Sequence, residues 1–182
     1  MSKLKLAFVV TVVAILSPLP AFAQQPRTSP HESVYGRVDG ALVSITYGRP
    51  YSKNPRGGEI RKVWGTLVPY GKAWRLGADE ATILLTNKPL MFGEAEVPAG
   101  AYTLYLVPEE NGGKLAISKK IGFWGIPVDE KQDLARVDAK KEPLEKPNDQ
   151  LAIALEPNPA GGGVIKIMWE GTQYSVPFTV KK

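Results

Sequence analysis

From Ser33 onward the chain alternates apolar and polar side chains with a period of two. Val43, Ile45 and Tyr47 alternate with Ser44 and Thr46, Leu151, Ile153 and Leu155 with alanines, and Ile165, Ile167 and Trp169 with Lys166 and Met168. Successive side chains of a strand point to opposite faces, so this pattern predicts half-buried strands with Ile165 and Ile167 in the core. Tyr174, Val176, Phe178 and Val180 predict one more. Its Pro177 falls on the opposite face, where a missing amide suits an edge or a bulge. Residues 81–86 and 101–107 are more continuously apolar, as strands inside a sheet are.

The punctuation between these runs favours hairpins. Pro98-Ala99-Gly100 offers a turn between residues 94–97 and 101–107, Asn111-Gly112 one before residues 114–118, and Gly171-Thr172 one between the last two strands. Residues 159–163 read as a pliable loop. Helical signal is confined to two single turns, at residues 127–133 and 59–64, since no stretch carries the three-and-four spacing of an amphipathic helix. About nine to eleven short antiparallel strands predict an all-β fold, a single antiparallel β-sandwich of jelly-roll-like type.

The first 23 residues have a different character. Lys3 and Lys5 precede an apolar run over residues 6–16, and Ala21-Phe22-Ala23 supplies a small-x-small cleavage site, the pattern of an export signal. The run is shorter than the roughly 20 residues that span a bilayer, so no membrane span is expected once the signal is removed. A periplasmic or secreted protein cut near Ala23 is predicted. Residues 24–33, with Pro26 and Pro30, read as a disordered lead-in, and residues 34–182 as one domain. The absence of cysteine removes disulfides and a lipoprotein anchor, and a domain of this length folds without staples.

Charge is unevenly placed. The formal net charge of +5 falls to +3 without Lys3 and Lys5, yet Arg49, Lys53, Arg56, Arg61, Lys62, Lys72 and Arg75 crowd one segment against the single acid Glu59. A local patch of this kind, on an exported chain, argues against nucleic acid as the partner. Tyr51, Trp64, Tyr70 and Trp74 are interleaved with the cations, the composition of a site for an anionic or sugar-like ligand. The candidate binding residues are Arg49, Tyr51, Tyr70, Lys72, Trp74, Arg75, Glu80 and Trp124. A competing reading puts Trp74 in the core and pairs Arg75 with Asp79 or Glu80, making the segment a structural lock.

Catalytic constellations are sparse. With no cysteine and one histidine, His31 in the expected lead-in, no metal centre of the usual kind, no cofactor and no Ser-His pair are expected. Asp129, Glu130 and Asp133 offer oxygens for calcium but no EF-hand pattern. Asp79 and Glu80 are the tempting glycosidase carboxylates, though in an extended strand at most one faces a given site, with Glu59 as a distant partner. Gly57-Gly58 reads as a turn, without the strand and helix of a phosphate loop.

Taken together, Tyr47-Gly-Arg-Pro50, Trp64-Gly-x-Leu-Val-Pro-Tyr-Gly71, Trp74-Arg-x-Gly-Ala-x-Glu-Ala-Thr82, Val97-Pro-Ala-Gly-x-Tyr102, Trp124-Gly125, Trp169-Glu170 and Pro177-Phe178 resemble the exported bacterial family catalogued as domain of unknown function 2911. The likeness covers nearly all of the chain after the signal and implies no particular reaction, substrate or catalytic residue. Residues 51–62 depart from it as a longer loop, so Arg56 and Arg61 fall outside the shared pattern. The leading expectation is a non-catalytic binding domain for an anionic glycan, peptide or envelope partner. The alternatives are a carboxylate-dependent hydrolase of cell-envelope carbohydrate and a purely structural or protein-interaction domain.

Overall fold

The computed structural model describes residues 27–182. The expected signal, its cleavage site and the start of the lead-in lie outside these residues. Among the described residues nine strands carry the fold: β1 (His31–Val38), β2 (Ala41–Gly48), β3 (Ala78–Thr86), β4 (Leu90–Phe92), β5 (Ala95–Val97), β6 (Gly100–Pro108), β7 (Gly112–Ser118), β8 (Asp133–Pro157) and β9 (Gly163–Val180). They hydrogen-bond in the order β1-β2-β3-β6-β7-β8-β9-β4-β5, every named pair antiparallel. Helix among the described residues is limited to a 3-10 turn at Glu130–Gln132, inside the stretch expected to make one. None is long and apolar enough to cross a membrane.

The alternation works as the period-two pattern requires. Val43, Ile45 and Tyr47 of β2, Leu151 and Ile153 of β8, and Ile165, Ile167 and Trp169 of β9 all enter one hydrophobic cluster. Tyr47 reaches furthest. Its hydroxyl accepts the Ile153 N–H at 2.8 Å, fastening the end of β2 to β8 across the interior. Burial raises the pKa of the phenol, and the bond from Ile153 opposes that rise while it satisfies the buried oxygen.

Four expectations are corrected. The Gly171-Thr172 hairpin does not form, because β9 runs through it as one strand of 18 residues. Inward positions are odd up to Trp169 and even from Tyr174, and a parity change inside a continuous strand needs a bulge, marked by Glu170 at φ +52° and a register shift opposite Asn148. The Pro98-Ala99-Gly100 turn likewise joins strands that do not pair: β5 bonds to β4, and β6 to β3 and β7. Residues 59–64 form isolated bridges, Lys53 with Ile60 and Trp64 with Val68, instead of a helical turn. Finally, His31 opens β1 and pairs with Gly48, so regular structure begins inside the expected lead-in. The strands are not uniformly short either, since β8 has 25 residues.

Candidate functional site

The long connection from β2 to β3 is pinned to the middle of β8. Leu151 N–H donates to Pro50 O at 2.9 Å, Ser52 N–H to Asp149 O at 2.6 Å, and Tyr51 bridges Gln150. The Ser52 hydroxyl and the Lys53 N–H both donate to Asp149 Oδ1, and the Ser52 bond, followed by the Lys53 amide, lowers that carboxyl's pKa. Two of the arginines serve this attachment. Arg49 donates from Nε to Leu151 O at 2.9 Å and pairs with Glu32 at 2.6 Å, while Arg61 donates to the carbonyls of Ser52 and Tyr51.

What the attachment creates is a cleft of about 660 Å³. Tyr51, Arg56, Trp74, Arg75 and Ile126 are among its lining residues, with Thr28, Ser29, Gly77 and Ala78 along one side. Trp74 is half-buried. One side of its ring stacks on the buried Trp169 at 5.6 Å, and its edge meets Trp64 at 5.7 Å. Trp64 is fixed by its indole N–H on Trp169 O at 3.1 Å, so the aromatic floor is rigid. The same ring is therefore both core and cleft wall.

Arg75 follows Trp74 outside any strand and lines the same cleft. Its guanidinium lies 5.8 Å from the Trp124 ring centroid and donates to Trp124 O at 3.4 Å. The Trp124 loop can come this close because of Gly125. A Cβ there would stand 2.8 Å from Arg75 Cβ, and its φ of +94° suits glycine. Trp124 itself is 54% exposed. Arg75 forms no ion pair with Asp79 or Glu80; of the partners a lock would use, it meets a backbone carbonyl, that of Trp124.

Those two carboxylates meet other partners. His31 pairs with Gly48 and Gly48 with Ala78, so the register carries the imidazole to the start of β3. Gly48 is obligatory there, because a Cβ would lie 2.2 Å from Ala78 O and 3.1 Å from His31 Nε2. Asp79 takes φ +62°, which breaks strand alternation and turns its carboxylate to the same side as that of Glu80. His31 Nε2 then lies 3.4 Å from Asp79 Oδ2 and 3.3 Å from Glu80 Oε2. The expectation that at most one of the pair faces a given site is overturned by this backbone twist.

Arg27 completes the group. It grips Glu80 with two parallel bonds of 2.5 and 2.7 Å and lies 2.6 Å from His31 Nε2. The Arg27 hydrogen bonds lower the Glu80 pKa to about 2. A carboxylate so firmly ionised has no proton to give near neutral pH, which argues against Glu80 as a general acid. Asp79 Oδ2 is shielded from solvent and has no hydrogen-bond partner among the described residues.

Of the eight candidates, Tyr51, Trp74 and Arg75 line one cleft, and Trp124 joins them through Arg75. Arg49 belongs to the attachment and Glu80 to the His31 group. Tyr70 sits apart under Lys141, whose ammonium is 4.9 Å from its ring centroid and donates to its hydroxyl at 3.2 Å; Lys72 is exposed. Sequence reasoning passed over Arg27 and left His31 in the expected lead-in, outside any site. The available signal was the pairing pattern: a strand carrying His31 next to one that ends in Gly48. Asp133 Oδ2 and Glu130 both bind Arg136 and Asp129 accepts the Lys131 N–H, while Asp133 Oδ1 is buried without a hydrogen-bond partner among the described residues.

The family model for the protein of unknown function DUF2911 matches residues 29–178. The chain belongs to the DUF2911 family. The matched span holds the floor of the cleft, the Trp124 loop, His31 and both carboxylates, and Arg27 lies just ahead of it. No curated protein and no solved structure matches the chain.

Proposed function

We propose that this DUF2911 protein is an exported binding domain, released into the periplasm or the medium by cleavage near Ala23, whose cleft takes an anionic carbohydrate or a peptide carboxylate. The observation that carries the reading is the convergence of the Trp74 face, Tyr51, Arg56 and Arg75 on one cleft of about 660 Å³, within the range of small-ligand sites. An aromatic plane suits the apolar face of a sugar ring, and guanidinium groups pair with carboxylates through two parallel bonds. We also infer that the sheet closes as a jelly-roll-like sandwich, a reading supported by the bond from Ile153 to Tyr47 across the core.

The test is a binding screen of the mature protein against uronic-acid oligosaccharides, peptidoglycan fragments and short acidic peptides, repeated with Trp74→Ala and Arg75→Ala. Binding to one class that drops at least about tenfold in Arg75→Ala, a loss in the range of a charge-assisted hydrogen bond, is expected. Ligands held equally well by wild type and both variants would place recognition elsewhere.

A further inference from the structure

Next in sequence to residues that line the cleft, three electron-pair donors from two strands converge. They are His31 Nε2, Asp79 Oδ2 and Glu80 Oε2, all within 4.8 Å of one another. Arginine only donates, so the contact from Arg27 makes Nε2 the acceptor, with its single lone pair taken by Arg27 and open to a metal only where that bond is displaced. The group's one cation is Arg27, whose Nη1 stands 2.6 Å from Nε2, 2.5 Å from Glu80 Oε2 and 4.0 Å from Asp79 Oδ2. It serves two donors and misses the third. Asp79 Oδ2, the shielded oxygen of a side chain that is 33% exposed, has no hydrogen-bond partner among the described residues, which costs free energy unless something else binds it.

The spacing says what would fit. A tetrahedral ion with bonds of about 2.1 Å holds its donors about 3.4 Å apart. The distances from Nε2 to the two carboxylate oxygens are 3.4 and 3.3 Å, and the two oxygens lie within 4.8 Å of each other. We propose that His31, Asp79 and Glu80 form a binding site for a first-row divalent cation, zinc above all, and that Arg27 is the resident cation with which the metal competes.

Several features of the chain support this assignment. One imidazole nitrogen with two carboxylate oxygens favours a transition metal over calcium or magnesium. Three protein ligands leave a fourth position open, as in reactive zinc sites. Thr28, Ser29, Gly77 and Ala78, which flank the ligands in sequence, line the cleft, so an ion here would border whatever the cleft holds. The left-handed backbone of Asp79 and the bare Cα of Gly48 bring the donors together whether or not the cleft binds an anion. The proposal is thus independent of the reading given above for the cleft.

Because His31 is the only histidine of the chain, its ring signals in an NMR titration report on this site alone. The mature protein is titrated with zinc chloride, followed by calorimetry and by those signals, alongside Arg27→Ala, His31→Ala and Asp79→Asn. Expected are one zinc per chain with displacement of the His31 ring signals, loss of that binding in His31→Ala and Asp79→Asn, and at least about tenfold tighter binding in Arg27→Ala, where a like charge within contact distance has gone. A gain of affinity that keeps one zinc per chain and the same displacement of the His31 signals reports on the folded site, so it keeps the test decisive if the loss variants are unstable. Binding that persists unchanged in His31→Ala and Asp79→Asn would overturn the proposal. So would zinc binding confined to Arg27→Ala, which would make the cluster a plain clasp for Arg27 in the native chain.

Discussion

Gly48 shows how much one residue can decide. Its missing Cβ lets β2 lie against Ala78 and lets His31 fold over the start of β3, and no side chain can replace that space without moving backbone. Gly48→Ala is expected to lower stability by about 1–3 kcal/mol, the usual result of forcing extra volume into a packed site. A denaturation midpoint equal to wild type would mean that the strands part easily there. Glu80 offers a second test at this scale. Its carboxyl titrates at about 2 in the folded protein against an ordinary 4.5, so its bond to Arg27 contributes fully above about 4.5 and is lost as pH falls toward 2. Unfolding curves of wild type and Glu80→Gln should therefore be separated by a constant gap near neutrality that closes over that acid window. A gap that persists at pH 2 would contradict the assignment of the shift to Arg27.

Among the elements, β9 carries the clearest prediction and the clearest lesson. Ile167 is fully buried in the middle of the strand, and Ile167→Ala is expected to cost about 2–5 kcal/mol in chemical denaturation. An unchanged midpoint would reverse the facing of the strand. The strands with clean alternation, β2 and the two halves of β9, were legible because burial on one face alone sets the period. The join between those halves was not. A change of parity looks the same in sequence whether the chain turns back or bulges forward, and Gly171 favoured the turn. The first half of β8 escaped for a different reason: Lys140, Lys141 and Glu142 with Pro143 and Pro147 mask the alternation, and only pairing with β7 and β9 makes it a strand. In the candidate site, the aromatic and cationic composition was legible at Trp74 and Arg75. The His31 group was not, since it depends on register across Gly48 and on a left-handed Asp79, neither of which a period of two can express.

At the scale of the whole molecule, one hydrophobic core supports a surface on which cations have been sorted by neighbourhood. Arg49 and Arg61 spend their donors on the chain's own carboxylate and carbonyls, Arg27 is held by Glu80, and Arg56 and Arg75 are presented to the cleft. Under the proposed function this division separates stability from recognition. Arg75→Ala should alter stability by less than about 0.5 kcal/mol, as partly exposed substitutions away from buried networks do, and a large fall in melting temperature would return Arg75 to the role of lock. The central claim is that Trp74, Arg75 and Trp124 surround the place where a ligand sits. The four indole N–H signals give the most direct measurement, because each tryptophan contributes one. In a titration of the mature protein with an oligogalacturonide, the signals of Trp74 and Trp124 should move together, while that of Trp64, whose N–H is spent on Trp169 O, holds its position. Saturation of an oligogalacturonide that the protein demonstrably binds, with the Trp74 and Trp124 signals unmoved, would contradict the account.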